Sequence, residues 1–422
     1  LLSGDDTYAR LRVLFERADE RYNSGLFHFH SERDRHGAPD KLTPNLAIDD
    51  KALKAIFKRL YYPESPYEFA VFPAEILGQV YERFLGSVIR LTAGGQAKVE
   101  QKPEVRKAGG VYYTPSYIVD YIVKHTVGKL LEGKTPQEVA GMTETWRPSK
   151  TGQPLAILDP ACGSGSFLLG AYQCLLDWHR EYYAQDADAA NKWATGKIPR
   201  VYQDRHGEWR LTTSERKRIL LANIYGVDLD TQAVEVTKLS LLLRVLEGED
   251  VQLGQGNLRF AQKHMLPDLA GNIKCGNSLI GPDFCQNQQM TLDDEETYRI
   301  NAFNWGDEFP DIMRAGGFDA VIGNPPYIRI QTLKQWAPAE VEFYKDHYRA
   351  AASGNYDIYV VFIEKGLALL NENGRLGFIC PHKFFNAKYG EGIRRVIAEG
   401  KHLEHVVHFA QCQVFADATT YT

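Results

Sequence analysis

Residues 155–168 constrain the fold more than any other part of the chain. Four apolar residues are followed at once by Asp159 and then by a run of small residues that includes Gly163 and Gly165. Apolar residues at helical spacing then continue to about Trp178. A buried strand that passes through a glycine-containing turn into a helix is the opening unit of a doubly wound sheet. The sequence therefore predicts an α/β fold of that class.

The same turn has the composition of a ligand-binding loop. Gly163 and Gly165 carry no Cβ, so a ligand can approach their backbone closely, and the N-terminus of the following helix favours a carboxylate or phosphate. A dinucleotide fingerprint would have a third glycine where Leu168 stands, which disfavours a nicotinamide or flavin cofactor. Two alternatives stay open: the turn could be merely tight, and Asp159 could bond only to its own loop.

A second acidic position, Asp228, ends the β-rich run 223–228. Asp228 stands where a second parallel strand would end, and a carboxylate there can accept hydrogen bonds from both ribose hydroxyls of a nucleoside. Asp230 is predicted to be the N-cap of a helix over residues 231–246. The alternative is that both acids are solvated residues at the start of that helix.

An Asn-Pro-Pro-Tyr run follows the apolar strand pattern 318–323. The side-chain oxygen of Asn324 and the carbonyl oxygen of Pro325 can together accept both hydrogens of an exocyclic amine. The adjacent prolines, Pro325 and Pro326, fix φ and remove two N–H donors, while the ring of Tyr327 offers a face on which a planar base can stack. The run predicts a base-modifying site, although taken alone it could be only a proline turn.

Five motifs occur in an order that resembles the γ-class N6-adenine DNA methyltransferases, especially those of type II and combined type IIG restriction-modification proteins. The motifs are residues 109–115, 159–167, 226–228, 275–279 and 324–327. The resemblance implies a Rossmann-like sheet, S-adenosylmethionine as methyl donor, and site-specific transfer to adenine N6 without a metal. It also implies that the chain is part of a restriction-modification or phage-defence protein.

By this resemblance, Thr114 and the glycine loop meet the methionine end of the donor, Asp228 its ribose and Asn277 the edge of its adenine. The full set of implied donor contacts is Tyr113, Thr114, Asp159, Ala161, Gly163, Gly165, Asp228 and Asn277. Thr114 could instead be the N-cap of a helix over residues 116–131, and Asn277 could simply cap a turn.

The target base needs a second aromatic partner besides Tyr327. After Pro381 the resemblance implies an aromatic that stacks on the other face of the base; Tyr389 is favoured over Phe384, and Phe385 stays open. The implied partner is double-stranded DNA with a flipped adenine, because a base inside the duplex cannot reach the pocket. Protein-glutamine and some RNA methyltransferases share the same run, so these substrates, and a non-catalytic DNA-specificity module, remain alternatives.

Two domains are expected. Residues 1–108 predict a helical lead-in with helices over 8–21, 50–61 and 73–85, and residues 93–110 predict a loop. Residues 109–422 predict the methyltransferase domain. Because the first residue is Leu1 and little sequence follows Tyr389, a fragment is expected, with a nuclease or specificity region in the same full-length chain or in a partner subunit.

Composition excludes several classes. No apolar run is long enough to span a bilayer and no signal peptide opens the chain, so a cytoplasmic protein without membrane contact is expected. The 6 cysteines show no CxxC pairing, which favours reduced thiols over disulfides or zinc. A net charge of -5 argues only against a uniformly cationic DNA-binding protein.

Overall fold

The computed structural model describes residues 4–22, 42–61, 63–65, 76, 78, 87–91, 96–101, 114–147, 149, 152–247, 266–284, 299–352, 354–410 and 414. Tyr113 and most of the predicted loop 93–110 lie outside these residues. Of the predicted helix 73–85 only Ile76 and Gly78 are described, and both are helical.

The helices lie in chain order as follows: α1 Thr7–Tyr22, α2 Asp50–Leu60, α3 Ser116–His125, α4 Val127–Leu131, α5 Pro136–Val139, α6 Ser166–Tyr183, α7 Ala187–Thr195, α8 Thr213–Asn223, α9 Thr231–Leu246, α10 Trp305–Glu308, α11 Pro310–Arg314, α12 Ile330–Trp336, α13 Pro338–His347, α14 Tyr359–Leu369 and α15 Glu391–Glu399. The strands are β1 Ser87–Leu91, β2 Ala97–Gln101, β3 Ile157–Asp159, β4 Val201–Gln203, β5 Trp209–Leu211, β6 Ile224–Asp228, β7 Ile273–Cys275, β8 Phe318–Gly323 and β9 Leu370–Phe378. Short 3-10 helices cover Thr43–Asn45, Arg349–Ala351, His382–Phe385 and Lys388–Gly390.

The N-terminal region is not purely helical. Helices α1 and α2 match the predicted patterns and are joined by a hydrogen bond from the Thr7 amide to Asp50 Oδ1 at 2.8 Å. Strands β1 and β2, however, form an antiparallel hairpin. The prediction of a loop throughout residues 93–110 is therefore wrong at β2. The charged residues interspersed along β2 obscure the pattern of a short strand, which pairs with β1. Gly78 packs on residues 160–165, the loop between β3 and α6 that is called the donor loop below. A Cβ on Gly78 would lie 3.2 Å from Ser164 Cβ.

The central sheet confirms the predicted doubly wound fold. Its five strands lie in the order β7, β6, β3, β8, β9, and every neighbouring pair is parallel. Successive residues of β3 point to opposite faces: Ile157 packs in a cluster with α3, α6 and α9, whereas Leu158 packs with Phe303 and Trp305 on the other side. Because the strands are parallel, the segments that follow β3, β6, β7 and β8 meet at one edge of the sheet.

Several predicted boundaries shift for local reasons. The helix predicted over 116–131 breaks at Thr126, whose Oγ1 donates to the Ile122 carbonyl at 2.7 Å. Strand β9 begins at Leu370, and its first half is polar and lacks an apolar pattern. Helix α9 lies where the sequence predicts it.

Candidate active site

The loop between β3 and α6 has a conformation that requires its glycines. Gly163 and Gly165 have φ values of 54° and 85°. A Cβ on Gly165 would lie 2.9 Å from Thr237 Cγ2, and Thr237 Oγ1 donates to the Gly163 carbonyl at 2.8 Å. The Cys162 amide also donates to the Val227 carbonyl at 3.1 Å. The loop is thus pinned to both α9 and β6, which fixes its backbone before any ligand binds.

Asp228 joins the ends of two strands. Its Oδ2 accepts from the Gly163 amide at 2.8 Å and its Oδ1 accepts from the Asp230 amide at 2.9 Å. Asp230 is the N-cap of α9, as predicted, since its Oδ1 accepts from the Gln232 amide at 2.9 Å. Asp228 is therefore not a freely solvated residue at a helix start, and its carboxylate retains lone-pair capacity for a ligand hydroxyl.

Asp159, which is buried, and Asp228, which is partly buried, form an acidic pair. Asp159 accepts from the Ala161 amide at 3.0 Å, the contact with its own loop that the sequence left open. Burial raises the pKa of Asp159 to about 8, against the lowering effect of the hydrogen bond from the Ala161 amide, and the charge of Asp228 adds a smaller rise. Burial also raises the pKa of Asp228 to about 6, against the lowering effect of the amides of Asp230 and Gly163. In the part of the chain that the structure describes, no cationic side chain is among the groups that shift these two pKa values.

Asn277 caps a turn at the same edge of the sheet. Its Oδ1 accepts from the Leu279 amide at 3.1 Å, which is the structural role that the sequence left as an alternative. The next residue, Ser278, donates from Oγ to the Pro160 carbonyl at 2.5 Å. The turn after β7 is thereby tied to the donor loop. Ser278 has no distinct signal in the sequence beyond its place in the fourth motif.

The amide of Asn324 is held at both ends. Its Nδ2 donates to Thr114 Oγ1 at 3.1 Å, and Tyr327 Oη donates to its Oδ1 at 2.5 Å. Tyr327 Oη also lies 3.1 Å from the carbonyl oxygen of Ile379, directly after β9. Asn324 itself follows Gly323, the last residue of β8, so the side chain stands at the carboxyl edge of the sheet. The run is therefore more than a proline turn, because tertiary contacts orient its amide.

Thr114 does not cap a helix. The N-cap of α3 is Pro115, which makes no side-chain capping bond, so the alternative role of Thr114 as N-cap is wrong. The cause is a one-residue shift in the helix start. Thr114 is 2% exposed and its hydroxyl contacts Asn324 instead.

The predicted stacking residues converge on Tyr359, which the sequence did not indicate. The rings of Tyr327 and Phe384 lie 6.0 and 6.2 Å from the ring of Tyr359, and Tyr389 Oη lies 3.1 Å from Tyr359 Oη. Phe384 is buried and stacks on the more exposed Phe385 with 4.3 Å between ring centroids. Tyr389 is only partly buried, so its ring is the more accessible of the two favoured after Pro381.

Comparison with known proteins agrees with the motif order. Residues 222–415 match the family model of the Eco57I restriction-modification methylase. Over these residues the chain is similar to that methylase family. A similar curated protein, the type II restriction enzyme and methyltransferase RM.Eco57I of Escherichia coli, is 31% identical over 419 residues, covering 99% of this chain and 36% of that protein. The expected resemblance to restriction-modification methyltransferases is confirmed.

Two further relatives are more distant. The adenine-specific methyltransferase PglX of Streptomyces coelicolor is 25% identical over 300 residues, covering 68% of this chain and 20% of that protein. Among solved structures, the type IIL restriction-modification enzyme MmeI in complex with DNA aligns over 94% of this chain and 45% of its own, with 15% identity and a TM-score of 0.48. The chain thus spans about a third or less of the length of the curated relatives named here.

The methylase family implies S-adenosylmethionine as methyl donor, as the sequence predicts, and the site fits it. The donor carries a sulfonium and an ammonium cation beside a ribose. The described edge of the sheet offers one buried and one partly buried carboxylate, with no cationic side chain among the groups that shift their pKa values, and a loop whose glycines leave backbone exposed to a ligand. No helix in the described ranges is long and apolar enough to cross a membrane.

Proposed function

We propose that this chain transfers a methyl group from S-adenosylmethionine to N6 of an adenine flipped out of double-stranded DNA. The observation that carries the proposal is the amide of Asn324, which is fixed between Thr114 and Tyr327 at the sheet edge where the donor loop also lies. The other expected catalytic residues, Pro325 and Pro326, follow it directly.

The donor side depends on Asp159, Asp228 and the intervening loop. A cation beside these two carboxylates lowers their pKa values, so donor binding and ionisation of the pair favour each other. Asp228 accepts from the ribose hydroxyls through its remaining lone pairs, while Gly163 and Gly165 admit the methionine end. Ala161 and Asn277 line the same edge. The side chain of Asn277 turns away from its bond with the Leu279 amide and faces the adenine moiety of the donor. Tyr113, outside the described residues, stays a proposed donor contact.

The chemistry on the acceptor side is hydrogen bonding to a weak nucleophile. The lone pair of an adenine N6 is conjugated with the ring, so it attacks poorly. Asn324 Oδ1 and the Pro325 carbonyl accept the two N6 hydrogens and favour tetrahedral geometry, which localises the lone pair. The bound donor supplies a sulfonium methyl; the N6–carbon bond forms as the sulfur–carbon bond breaks, and one N6 hydrogen leaves as a proton to water. Preorganised acceptors and orientation carry this step.

Aromatic side chains hold the flipped base. Tyr327 stacks on one face and Tyr389 on the other, with Phe384 as the buried support of the loop between them. Stacking contributes about 1 to 3 kcal/mol per base on an aromatic ring, enough to offset part of the cost of unstacking.

Three cations stand beside these aromatics. Arg329 follows the Asn-Pro-Pro-Tyr run, and Lys383 and Lys388 lie on the 3-10 helices that carry Phe384 and Tyr389. All three side chains are exposed, and the charges of Lys383 and Arg329 both act on the pKa of Asp357. Cations on three converging loops suit the phosphates on either side of a flipped nucleotide.

The proposal also concerns the biological context. The name of the Escherichia coli relative joins a restriction enzyme and a methyltransferase, and this chain matches 36% of it. We propose that the chain acts in a restriction-modification or phage-defence protein whose nuclease or specificity region lies in the same full-length chain or in a partner subunit. A DNA substrate would place the protein in the cytoplasm.

The test is to locate the transferred methyl group. The chain would be incubated with isotope-labelled donor and, in separate arms, duplex DNA, RNA or glutamine-containing peptides, and the products would be digested and analysed by mass spectrometry. We expect labelled N6-methyladenine from duplex DNA, and none when Asn324 is replaced by Ala. Label in RNA, in glutamine or in cytosine would redirect the substrate assignment, and label in no arm would contradict the proposed function.

A further inference from the structure

We propose that a cavity at the far ends of α6 and α9 binds a phosphate group of a small free anion. The cavity has a volume of about 280 Å³ and is lined by residues of α6, β5, α8 and the end of α9. None of the lining residues belongs to the proposed donor or acceptor site, so the inference does not rest on the proposed function.

The cavity lies away from the catalytic edge of the sheet. Helix α6 begins at Ser166, directly after the donor loop, whereas its cavity residues Asp177 and Arg180 lie near its other end. At a rise of about 1.5 Å per residue, Arg180 stands about 20 Å along the helix from Ser166. Arg216 lies in α8, which leads directly into β6, and Asp228 ends that strand on the opposite side. A ligand in the cavity is therefore neither the methyl donor nor the target base.

Guanidinium groups dominate the charge of the lining. Four arginines face two carboxylates, namely Arg180, Arg210, Arg216 and Arg244 against Asp177 and Glu247. The arginines come from four different elements, so tertiary packing brings them together. A guanidinium group can donate two parallel hydrogen bonds to one oxoanion, and converging arginines are therefore typical of sites that bind phosphate or carboxylate groups.

Arg216 pairs with backbone and not with an acid. Its Nη1 donates to the carbonyl oxygen of Val245 at 3.0 Å and to that of Glu247, at the end of α9. Its Nε is buried and has no hydrogen-bond partner in the part of the chain that the structure describes. Carbonyl oxygens at a helix end carry only partial negative charge. The charge of Arg216 is thus not neutralised by a carboxylate, and an anion in the cavity would offset the cost of its partial burial.

Two other arginines of the cavity are in exposed ion pairs. Arg180 pairs with Asp177 at 3.0 Å, and both side chains are 40% exposed. Arg210 Nη2 pairs with Glu208 at 2.7 Å, with exposures of 38% and 65%, while Asp204 holds its Nε at 3.1 Å. Ion pairs between side chains this exposed contribute little to stability. Both guanidinium groups can therefore exchange a carboxylate for a ligand phosphate at small cost.

The size and lining of the cavity indicate the kind of anion. Its volume lies just below the usual range of ligand pockets, about 300 to 1,000 Å³. The described lining has two leucines and one glutamine besides the charged residues, and no aromatic ring on which a nucleobase could stack. We therefore infer a compound with one or two phosphate groups and no large apolar part. Pyrophosphate fits this description and is the probe for the test.

The test is calorimetric titration of the chain with pyrophosphate at an ionic strength held constant with sodium chloride. We expect saturable binding to one site, weakened about 10-fold by Arg180→Gln and by Arg210→Gln, because each removes a charged donor. Arg314→Gln is the matched control and should bind like wild type. Arg314 is likewise exposed and paired three positions away, with Asp311 at 2.7 Å, but lies outside the cavity. Thermal unfolding without the probe should show all three variants folded, since the substituted side chains are exposed.

No saturable binding at millimolar pyrophosphate, or binding that all three variants weaken equally, would overturn the inference. A second arm with short duplex DNA distinguishes the source of the phosphate. We expect Arg180→Gln and Arg210→Gln to leave the slope of log K against log salt concentration unchanged. A slope reduced by about 0.9 in each variant would assign the cavity to the DNA backbone and overturn its assignment to a free anion. Absence of methylation by the wild-type chain would contradict only the proposed function, because the titrations do not depend on turnover.

Discussion

Asp159 and Gly323 are in contact where the proposed donor side of the site meets the proposed acceptor side. A Cβ on Gly323 would lie 2.7 Å from Asp159 Oδ1, although the two residues end different strands and are separated by most of the domain. The residue before Asn324 must therefore be small for the Asp159 carboxyl to keep its place. This contact links the position of the Asp159 carboxyl to the backbone that carries the Asn324 amide.

Gly323→Ala should consequently damage both functions at once. Overpacking a tight contact costs about 1 to 3 kcal/mol, so we expect donor affinity to fall about 10-fold together with turnover. Gly271→Ala is the matched control, since a Cβ at that glycine meets no atom within 4 Å. Calorimetry and methylation assays on both variants check the expectation. A Gly323→Ala variant with wild-type donor affinity would show that a shift of the Asp159 carboxyl does not affect donor binding.

Donor binding should depend on pH through the acidic pair. The pKa of Asp159 is raised to about 8, so in the ligand-free protein this group is mostly protonated at neutral pH. A bound cation favours the ionised carboxylate, so binding releases protons and affinity rises as pH increases from 6 to 8. Calorimetry in buffers of different ionisation enthalpy measures that proton release. We expect Asp159→Asn to bind donor more weakly and with a flatter pH dependence.

The same pKa shift predicts the stability of the ligand-free protein. A carboxyl whose folded pKa is raised contributes stability that is present at low pH and is lost as pH rises through the folded value. The unfavourable burial of the Asp159 charge should therefore appear between about pH 4 and pH 8. Asp159→Asn should raise Tm relative to wild type at pH 8 more than at pH 5. An equal change in Tm at both pH values would mean that the carboxyl is already ionised in the folded protein.

Removal of the acceptor amide should affect the chemical step alone. We expect Asn324→Ala to lower kcat by about 100-fold or more, the usual cost of removing one preorganised electrostatic group, with donor Kd nearly unchanged. Asn373→Ala, at an exposed position of β9, is the control and should match wild type. Single-turnover methylation with saturating donor gives the comparison. Turnover within about threefold of wild type would remove Asn324 from the mechanism.

The sequence predicted the strands of the sheet and the residues of the site better than the contacts between those residues. A strand, a glycine turn and a helix have local signatures, so β3, β6, β8 and α9 were all anticipated. The tie between Thr114 and Asn324 was not, because a contact over 210 residues has no local signal and Thr-Pro is also a common helix start.

Tyr359 shows the same limit among the aromatics. Nothing in its spacing within α14 distinguishes a core tyrosine from one around which Tyr327, Phe384 and Tyr389 assemble. Only the packing of α14 against the segments after β8 and β9 brings the four rings together. Hairpin β1–β2 was missed for a different reason, since short strands with interspersed charges have weak periodicity.

Lys383→Gln should weaken DNA binding without affecting the donor. If the ammonium of Lys383 contacts one phosphate near the flipped nucleotide, its loss reduces the slope of log K against log salt concentration by about 0.9. Affinity should fall about equally for different duplex sequences, because phosphate contacts carry no base information. Lys345→Gln is the matched control, since Lys345 is an exposed lysine of α13 paired with Glu342 at 3.3 Å, away from the proposed pocket. Fluorescence anisotropy over a salt series measures both slopes. An unchanged slope for Lys383→Gln would place the DNA backbone elsewhere on the surface, whereas a loss confined to one duplex sequence would make Lys383 a base-reading residue.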